Sequence, residues 1–454
     1  MTSIFCKWGY LPDGWRPNVR ITVSGGRISQ IQSEAEPVTG DMIATDGLLV
    51  PAPGNLHSHA FQRAMAGHGE RRSAGEDSFW TWREAMYAFL EHLNPDDVGA
   101  IAAFAYMEML EAGYAAVGEF HYLHHGPGGA PYDDPAAMSH AIAAAAGETG
   151  IGLTHLPVLY SRGGVADEPL NDRQERFGND LADFSRLHDA IRLQSSDSIL
   201  GVAAHSIRAV TRNDIQSIPG TFGNGPIHIH IAEQTAEVTA VEDAYGARPV
   251  EWLLDNAGVD ERWCLVHATH MTEAETIALA RTGAIAGLCP ITEGNLGDGI
   301  FNGPTFIANG GRYGIGSDSH VLIGLTEELR LLEYSQRFRD RRRTVLRDGP
   351  GSVGQAMFDA VLIGGAQALG RDAGRIETGC WADFVMLDGN RITPFVPDRD
   401  QWLDHWIFVA GDRAVTDVWW AGRHVVTKGR HVRRDAIERD FRNCLARLFE
   451  KMTS

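Results

Sequence analysis

The sequence predicts an α/β protein: a (β/α)8 barrel of the TIM type, with a small β-sandwich domain built from both chain ends. Three observations carry this prediction. Eight apolar, strand-like runs alternate with helical stretches through the middle of the chain, the pattern of a parallel sheet wound with helices. The two ends carry hairpin signals instead. Histidines and acidic residues recur at the C-terminal ends of the apolar runs, where barrels of this kind place functional groups.

Residues 19–23 and 27–31 are rich in β formers and flank Gly25-Gly26, which reads as a hairpin turn. The run 47–55 is apolar without alternation and reads as one buried strand, the first of the barrel, leading into Leu56-His57-Ser58-His59. Further barrel strands are expected at 115–120, 152–159, 199–205, 227–231, 263–267, 284–289 and 313–318. Helical stretches at 101–112, 135–148, 250–256 and 274–281 separate them. Near the other end, 381–387 and 414–420 read as strands, the second turning through Ala421-Gly422 into 423–426. Residues 126–129 and the arginine-rich 337–347 read as loop or solvated surface. The expected division is 1–50 for the first part of the β domain, 51–372 for a metal-dependent barrel, and 373–454 for the second part with a C-terminal helix.

The 454 residues exceed one ordinary compact core but suit a barrel with an appended domain, and 44% hydrophobic residues can fill it. A formal net charge of −19 argues against binding a nucleic-acid backbone, which needs a basic surface. A few local arginines can still make a pocket for an anion. The five cysteines (Cys6, Cys264, Cys289, Cys380 and Cys444) form no Cys-x-x-Cys pair, as expected of a reduced cytoplasmic protein. No signal layout opens the chain, and no apolar run is long enough for a membrane span.

The chemistry gathers at the strand ends. On a strand, residues two apart share a face, so His57 and His59 can reach one metal ion while Ser58 turns away. His205 ends the fourth barrel strand, His230 the fifth, His267 the sixth and Asp318 the eighth. A lone histidine at a strand end is ordinarily a hydrogen-bonded structural residue. Five of them with an aspartate at like positions point to a metal site.

With these residues in place, the chain resembles the amidohydrolase superfamily over nearly its whole length, including the end-built β domain. His57-Ser58-His59, His230, His267 and Gly316-Ser317-Asp318-Ser319 stand where that superfamily has its four motif elements. Binuclear members bridge two metals with a carboxylated lysine on the fourth strand. Here no lysine lies between Lys7 and Lys428, so the resemblance is to the mononuclear deaminase branch. It implies that His57, His59, His230 and Asp318 bind one Zn²⁺ per chain, with Fe²⁺ a possible substitute. It also implies that His267 contacts the water at the metal and that Glu233 shuttles a proton. As an alternative, Glu233 could simply stabilise a helix N-terminus.

Within that branch the sequence is similar to the formimidoylglutamate deiminase family of histidine degradation. The resemblance rests on residues 55–63, 79–83 (Phe79-Trp80-Thr81-Trp82-Arg83), 118–122, 205–208, 228–234 and 265–270. It implies zinc-dependent hydrolysis of N-formimino-L-glutamate to N-formyl-L-glutamate and ammonia. Asp318 and His267 would accept or orient the proton of the attacking water. Such a substrate carries two carboxylates, and guanidinium binds carboxylates bidentately, which suits Arg83 and Arg208. Gln62, Tyr122 and His205 can add neutral hydrogen bonds. The expected partners are this small anionic substrate and a second copy of the chain in a homodimer, with neither nucleic acid nor membrane. A hydrolase or deaminase of a ring substrate, such as guanine or a triazine, would share the metal site but needs an aromatic, neutral pocket. A third reading, a dead amidohydrolase-like binding protein, requires lost metal ligands, and none is lost.

Overall fold

A computed structural model describes residues 2–70, 79–165 and 167–453. In chain order the strands are β1 (Thr2–Leu11), β2 (Gly14–Ser24), β3 (Arg27–Gln32), β4 (Met42–Pro51), β5 (Gly54–Ser58), β6 (Ala116–His121), β7 (Gly152–Leu159), β8 (Ile199–Leu200) and β9 (Val202–Ser206). They continue with β10 (Ile227–Ile231), β11 (Trp263–His267), β12 (Ile285–Leu288), β13 (Arg312–Ile315), β14 (Phe384–Asp388), β15 (Val415–Trp420), β16 (Arg423–Thr427) and β17 (Arg430–His431).

Strands β5, β6, β7, β9, β10, β11, β12 and β13 run in parallel in that spatial order. The first meets the last through a parallel bridge between Ser58 and Asp318. The Asp318 amide donates to the His57 carbonyl at 3.0 Å, and the His59 amide to the Asp318 carbonyl at 3.1 Å. A Cβ at Gly316 would stand 2.7 Å from the His57 backbone nitrogen, so closing the barrel here needs a glycine. Leu56, Ala116, Cys264, Val266, Ile285, Cys289, Ala368 and Leu369 form one buried cluster of strand and strand-end residues with the end of helix Val353–Ala368. Hydrogen bonds from Thr154 Oγ1 to the Leu369 carbonyl and between His228 Nε2 and the Ala368 carbonyl hold the end of helix Val353–Ala368 there.

The two chain ends share a second sheet, ordered β17-β16-β15-β14-β4-β1-β2-β3. Its alternation sorts side chains between two cores. Ile4, Cys6, Ile21, Leu49, Phe384, Met386 and Trp419 enter one. Leu48, Val50, Val385, Leu387, Val418 and Trp420 face the barrel's core. The sheet curls so that the β2–β3 turn meets the segment before β14: the Ile28 amide donates to the Cys380 carbonyl and the Ala382 amide to the Gly26 carbonyl, each at 2.9 Å. Buried Arg371 joins the sheet to the barrel, pairing with Asp197 and Asp383, while Trp420 Nε1 donates to Asp197.

Local chemistry explains where the observed elements differ from the expected ones. The apolar run 47–55 is two strands, not one: β4 belongs to the end sheet and only β5 to the barrel. Pro51 and Pro53 lack amide protons, and the partner changes between them: the Ala52 amide still donates to the Asp383 carbonyl beside the end sheet, whereas the Pro53 carbonyl accepts the Ala115 amide just before β6. Gly201 divides the expected strand 199–205 into β8 and β9. Helix Leu325–Asp340 includes Arg337 and Arg339 of the stretch expected as loop or solvated surface; Arg337 pairs with buried Glu333 one turn away. In the region 381–387 the ladder begins at Phe384, and Trp381 makes only an isolated bridge to Arg27.

Candidate active site

The strand ends expected to carry chemistry all face the closed, C-terminal mouth of the barrel. The candidate ligand atoms of His57, His59, His230 and Asp318 lie within 4.8 Å of one another, and all four residues are buried. The Nε2 atoms of His57 and His230 are 3.0 Å apart. Those of His57 and His59 stand 3.5 and 3.3 Å from Asp318 Oδ1. His59 Nδ1–H donates to the Phe120 carbonyl at 2.8 Å, which leaves the Nε2 lone pair aimed at the cluster. Burial lowers the His57 imidazole to about 3 and holds those of His59 and His230 below their ordinary value. All three are therefore neutral, the form that binds a metal. Burial works against the Asp318 carboxylate, but its hydrogen bond with His57 and the surrounding imidazoles hold it well below the usual range. Three neutral imidazoles and one carboxylate suit Zn²⁺ or Fe²⁺.

The backbone is contorted where it presents these groups. Ala232, His267, Ala268, Asp318 and His320 have φ of 50°, 67°, 49°, 49° and 57°, the left-handed region that side-chain-bearing residues avoid. Hydrogen bonds compensate, among them the Ala268 amide to the Ile231 carbonyl at 3.1 Å and the two between residues 57–59 and Asp318.

Next to the cluster lies a proton-handling pair. His267 Nε2 is 3.7 Å from Glu233 Oε1 and 3.8 Å from Asp318 Oδ2, and its Nδ1 is 3.4 Å from Glu293 Oε1. Burial alone would lower the His267 imidazole; the carboxylates of Glu233, Glu293 and Asp318 overcome it and push it up to about 10. Burial raises the Glu233 carboxyl to about 7, against the pull of His267 and Arg208. Near neutral pH, Glu233 can both hold and give up a proton.

A cavity opens onto these groups, and Arg83 and Arg208 are part of its lining. The expected substrate contacts Gln62, Tyr122 and His205 line it too. Gln62 Nε2 donates to Tyr122 Oη at 3.0 Å. His205 is packed against Tyr160, with ring centroids 4.7 Å apart. Arg83 Nε donates to Tyr87 Oη at 2.6 Å. Arg208 Nε stands 3.9 Å from Glu237 Oε1, and Glu237 Oε2 accepts the Glu233 amide at 3.1 Å. Trp82 is part of the lining, while the side chains of Phe79 and Trp80 fall outside the described ones.

Tyr87, Tyr160, Glu237 and Glu293 belong to the site and were not expected from the sequence. Tyr160 follows the third barrel strand directly, so the strand-end rule could have found it. Tyr87 sits one helical turn after Arg83 on helix Phe79–Leu90, and Glu237 lies in the first turn of helix Thr235–Tyr245, which begins two residues after Glu233; both relations are visible only once those helices are assigned.

Comparison with known proteins gives the family of the chain. The amidohydrolase family profile matches residues 48–425, and that of the formimidoylglutamate deiminase HutF N-terminal domain matches residues 1–43. A formimidoylglutamate deiminase of Pseudomonas aeruginosa is 47% identical, over 99% of this chain and 100% of its own. A 5-methylthioadenosine/S-adenosylhomocysteine deaminase of Natronomonas pharaonis is 27% identical over 80% of this chain and 79% of its own. Among solved structures, an amidohydrolase from Brucella melitensis superposes with a TM-score of 0.94 at 47% identity, covering 99% of this chain and 100% of that one. The chain belongs to the amidohydrolase family.

Proposed function

We propose that the chain hydrolyses N-formimino-L-glutamate to N-formyl-L-glutamate and ammonia, with one zinc ion per chain, as a step of histidine degradation. The observation that carries this reading is a single cavity lined by Glu233, two arginines and three members of the four-donor cluster, His59, His230 and Asp318. The likeness to the Pseudomonas aeruginosa formimidoylglutamate deiminase supports it. The proposal includes a homodimer in the cytoplasm, in keeping with five cysteines that are all free and buried. Among the described residues no helix is long and apolar enough to cross a membrane.

His57, His59, His230 and Asp318 would hold the ion. When bound, a zinc ion lowers the pKa of a water molecule at its open position and so supplies a nucleophile at neutral pH. The chain's own groups do the rest. Arg83 and Arg208 pair with the two substrate carboxylates, which orients the formimino carbon toward the cluster. Gln62, Tyr122 and His205 fix the substrate by neutral hydrogen bonds. His267, anchored by Glu293, orients the attacking water together with Asp318. Water adds to the formimino carbon, and Glu233 takes up a proton. It returns that proton to the terminal nitrogen and then relays the hydroxyl proton of the adduct to the same atom, so that the oxygen becomes the formyl carbonyl, the bond to the terminal nitrogen breaks and ammonia leaves. The glutamate nitrogen keeps its bond and becomes the amide of the product.

Product analysis tests this directly. NMR of a complete turnover should show N-formyl-L-glutamate and ammonia in equal amounts. Glutamate with formamide would mean that the proton reaches the other nitrogen, and would overturn the role given to Glu233.

A further inference from the structure

We propose that Glu119 is a positioning residue of the metal site. Its buried carboxylate fixes the end of β5, which bears His57 and leads into His59, and, through Ser58 and His320, sets that segment against the loop bearing Asp318. The proposal rests on the reading of those residues as metal ligands.

Glu119 lies on β6, fully buried, and among the described residues its carboxylate pairs with no arginine or lysine. A carboxylate without a cation is costly to bury unless hydrogen bonds replace its water. Three donors do so. Ser58 Oγ donates to Oε2 at 2.5 Å, the Ala60 amide to Oε1 at 2.9 Å, and Tyr106 Oη to Oε2 at 3.0 Å. Ser58 and Ala60 are the two chain neighbours of His59. One carboxylate therefore holds the backbone amide on one side of His59 and, on the other, the side chain of Ser58, the residue between the two ligand histidines.

The contact continues across the barrel seam. Ser58 Oγ stands 2.9 Å from His320 Nε2. The only Ser58 hydroxyl proton goes to Glu119, so His320 Nε2 must carry a proton and donate it to Ser58. His320 lies two residues past Asp318, and its carbonyl accepts from Arg63 Nη1 at 2.8 Å. Both Asp318 and His320 hold left-handed φ, a conformation that persists only where neighbouring contacts enforce it. The relay His320→Ser58→Glu119 is such a contact; burial raises the Glu119 carboxyl to about 7 against the pull of its three donors, and in its ionised form it accepts at both oxygens without donating.

That polarity is the reason for a carboxylate. A glutamine at 119 has a single acceptor oxygen, which the Ala60 amide can keep. Its amide nitrogen would then donate toward Ser58 and turn the serine proton onto His320 Nε2. The His320 proton would have to move to Nδ1, which is buried and has no hydrogen-bond partner among the described residues.

Zinc affinity tests the proposal, measured on the apo forms by competition with a chromophoric chelator. Glu119→Gln and Ser58→Ala should bind zinc roughly 10- to 100-fold more weakly than the parent, the usual effect of losing a group that orients a ligand. Tyr106→Phe cuts the third donor without touching either segment and should hold zinc within about threefold. Parent-like affinity in both Glu119→Gln and Ser58→Ala overturns the proposal. So does a loss in Tyr106→Phe as large as in Glu119→Gln, which would make the effect one of general stability. Should Glu119→Gln fail to fold, Ser58→Ala decides by the same criterion. A parent that takes up no divalent ion overturns the ligand reading itself, a result distinguishable from either of these.

Discussion

Replacing Arg208 by methionine removes a guanidinium from the cavity wall while keeping most of its aliphatic bulk. The side chain is only 13% exposed, and its Nε lies 3.9 Å from Glu237 Oε1. The substrate's carboxylate would meet this group in a largely dry setting, where a charge-assisted contact is strong. Losing one partner of such a pair costs about 2–5 kcal/mol, roughly 30-fold to several-thousand-fold in kcat/KM. Arg83 remains in the same cavity, so the dianion keeps one guanidinium. That places the expected loss nearer the lower end, about 100-fold. Glu237 loses its ion partner but still accepts the Glu233 amide, so the fold and the metal should survive. Arg208→Lys should recover little, since an ammonium lacks the planar fork. The assay is ammonia release across substrate concentrations, with zinc content and melting temperature measured on the same samples. A zinc-loaded Arg208→Met with kcat/KM within threefold of the parent would refute carboxylate recognition by Arg208.

Three further outcomes are expected. Glu233→Gln should lower turnover by about 10²-fold or more while zinc stays bound, because it removes a proton carrier and not a ligand; joint loss of metal and activity would make Glu233 a ligand. Elemental analysis of well-loaded protein should give one divalent ion per chain, since no lysine is available between Lys7 and Lys428 to bridge two, and chelation should abolish activity reversibly. Stability should fall in acid. Burial lowers His121, His124 and His155 to about 3, so each is neutral in the fold and charges readily once unfolded. Their contribution is complete above pH 6.5 and is lost as pH falls toward 3, at about 1.4 kcal/mol per pH unit for each. Denaturant midpoints that are equal at pH 7 and pH 5 would contradict this.

The legible parts of the fold and site were those with a short, fixed period. The spacing of His57 and His59 follows from strand alternation, and His230, His267 and Asp318 from their place after apolar runs. Arg208 was within reach for the same reason. Helices were harder. Helix Val353–Ala368 buries Met357, Phe358, Val361 and Leu362 on one face, but Gly364 and Gly365 on that face and Ile363 on the exposed one blur the stripe in the sequence. Helix Leu325–Asp340 carries so many charges that its C-terminal turns read as surface. The boundary between end sheet and barrel was hidden in one apolar run, and the two prolines at 51 and 53 were its only mark. Glu119 could not be assigned a role from sequence. Its three donors come from positions 58, 60 and 106, and only the closed barrel brings them together.

The central claim is that this metal site serves a linear, doubly anionic amidine. Ammonia release by the zinc-loaded protein should be compared on N-formimino-L-glutamate, N-formimino-L-aspartate and guanine at equal concentration. Efficient release is expected from the glutamate derivative, less from the shorter aspartate one, whose carboxylate falls short of an arginine when the formimino carbon is in place, and none above background from guanine. Guanine turned over faster than N-formimino-L-glutamate would contradict the claim and make Arg83 and Arg208 bystanders in a ring deaminase.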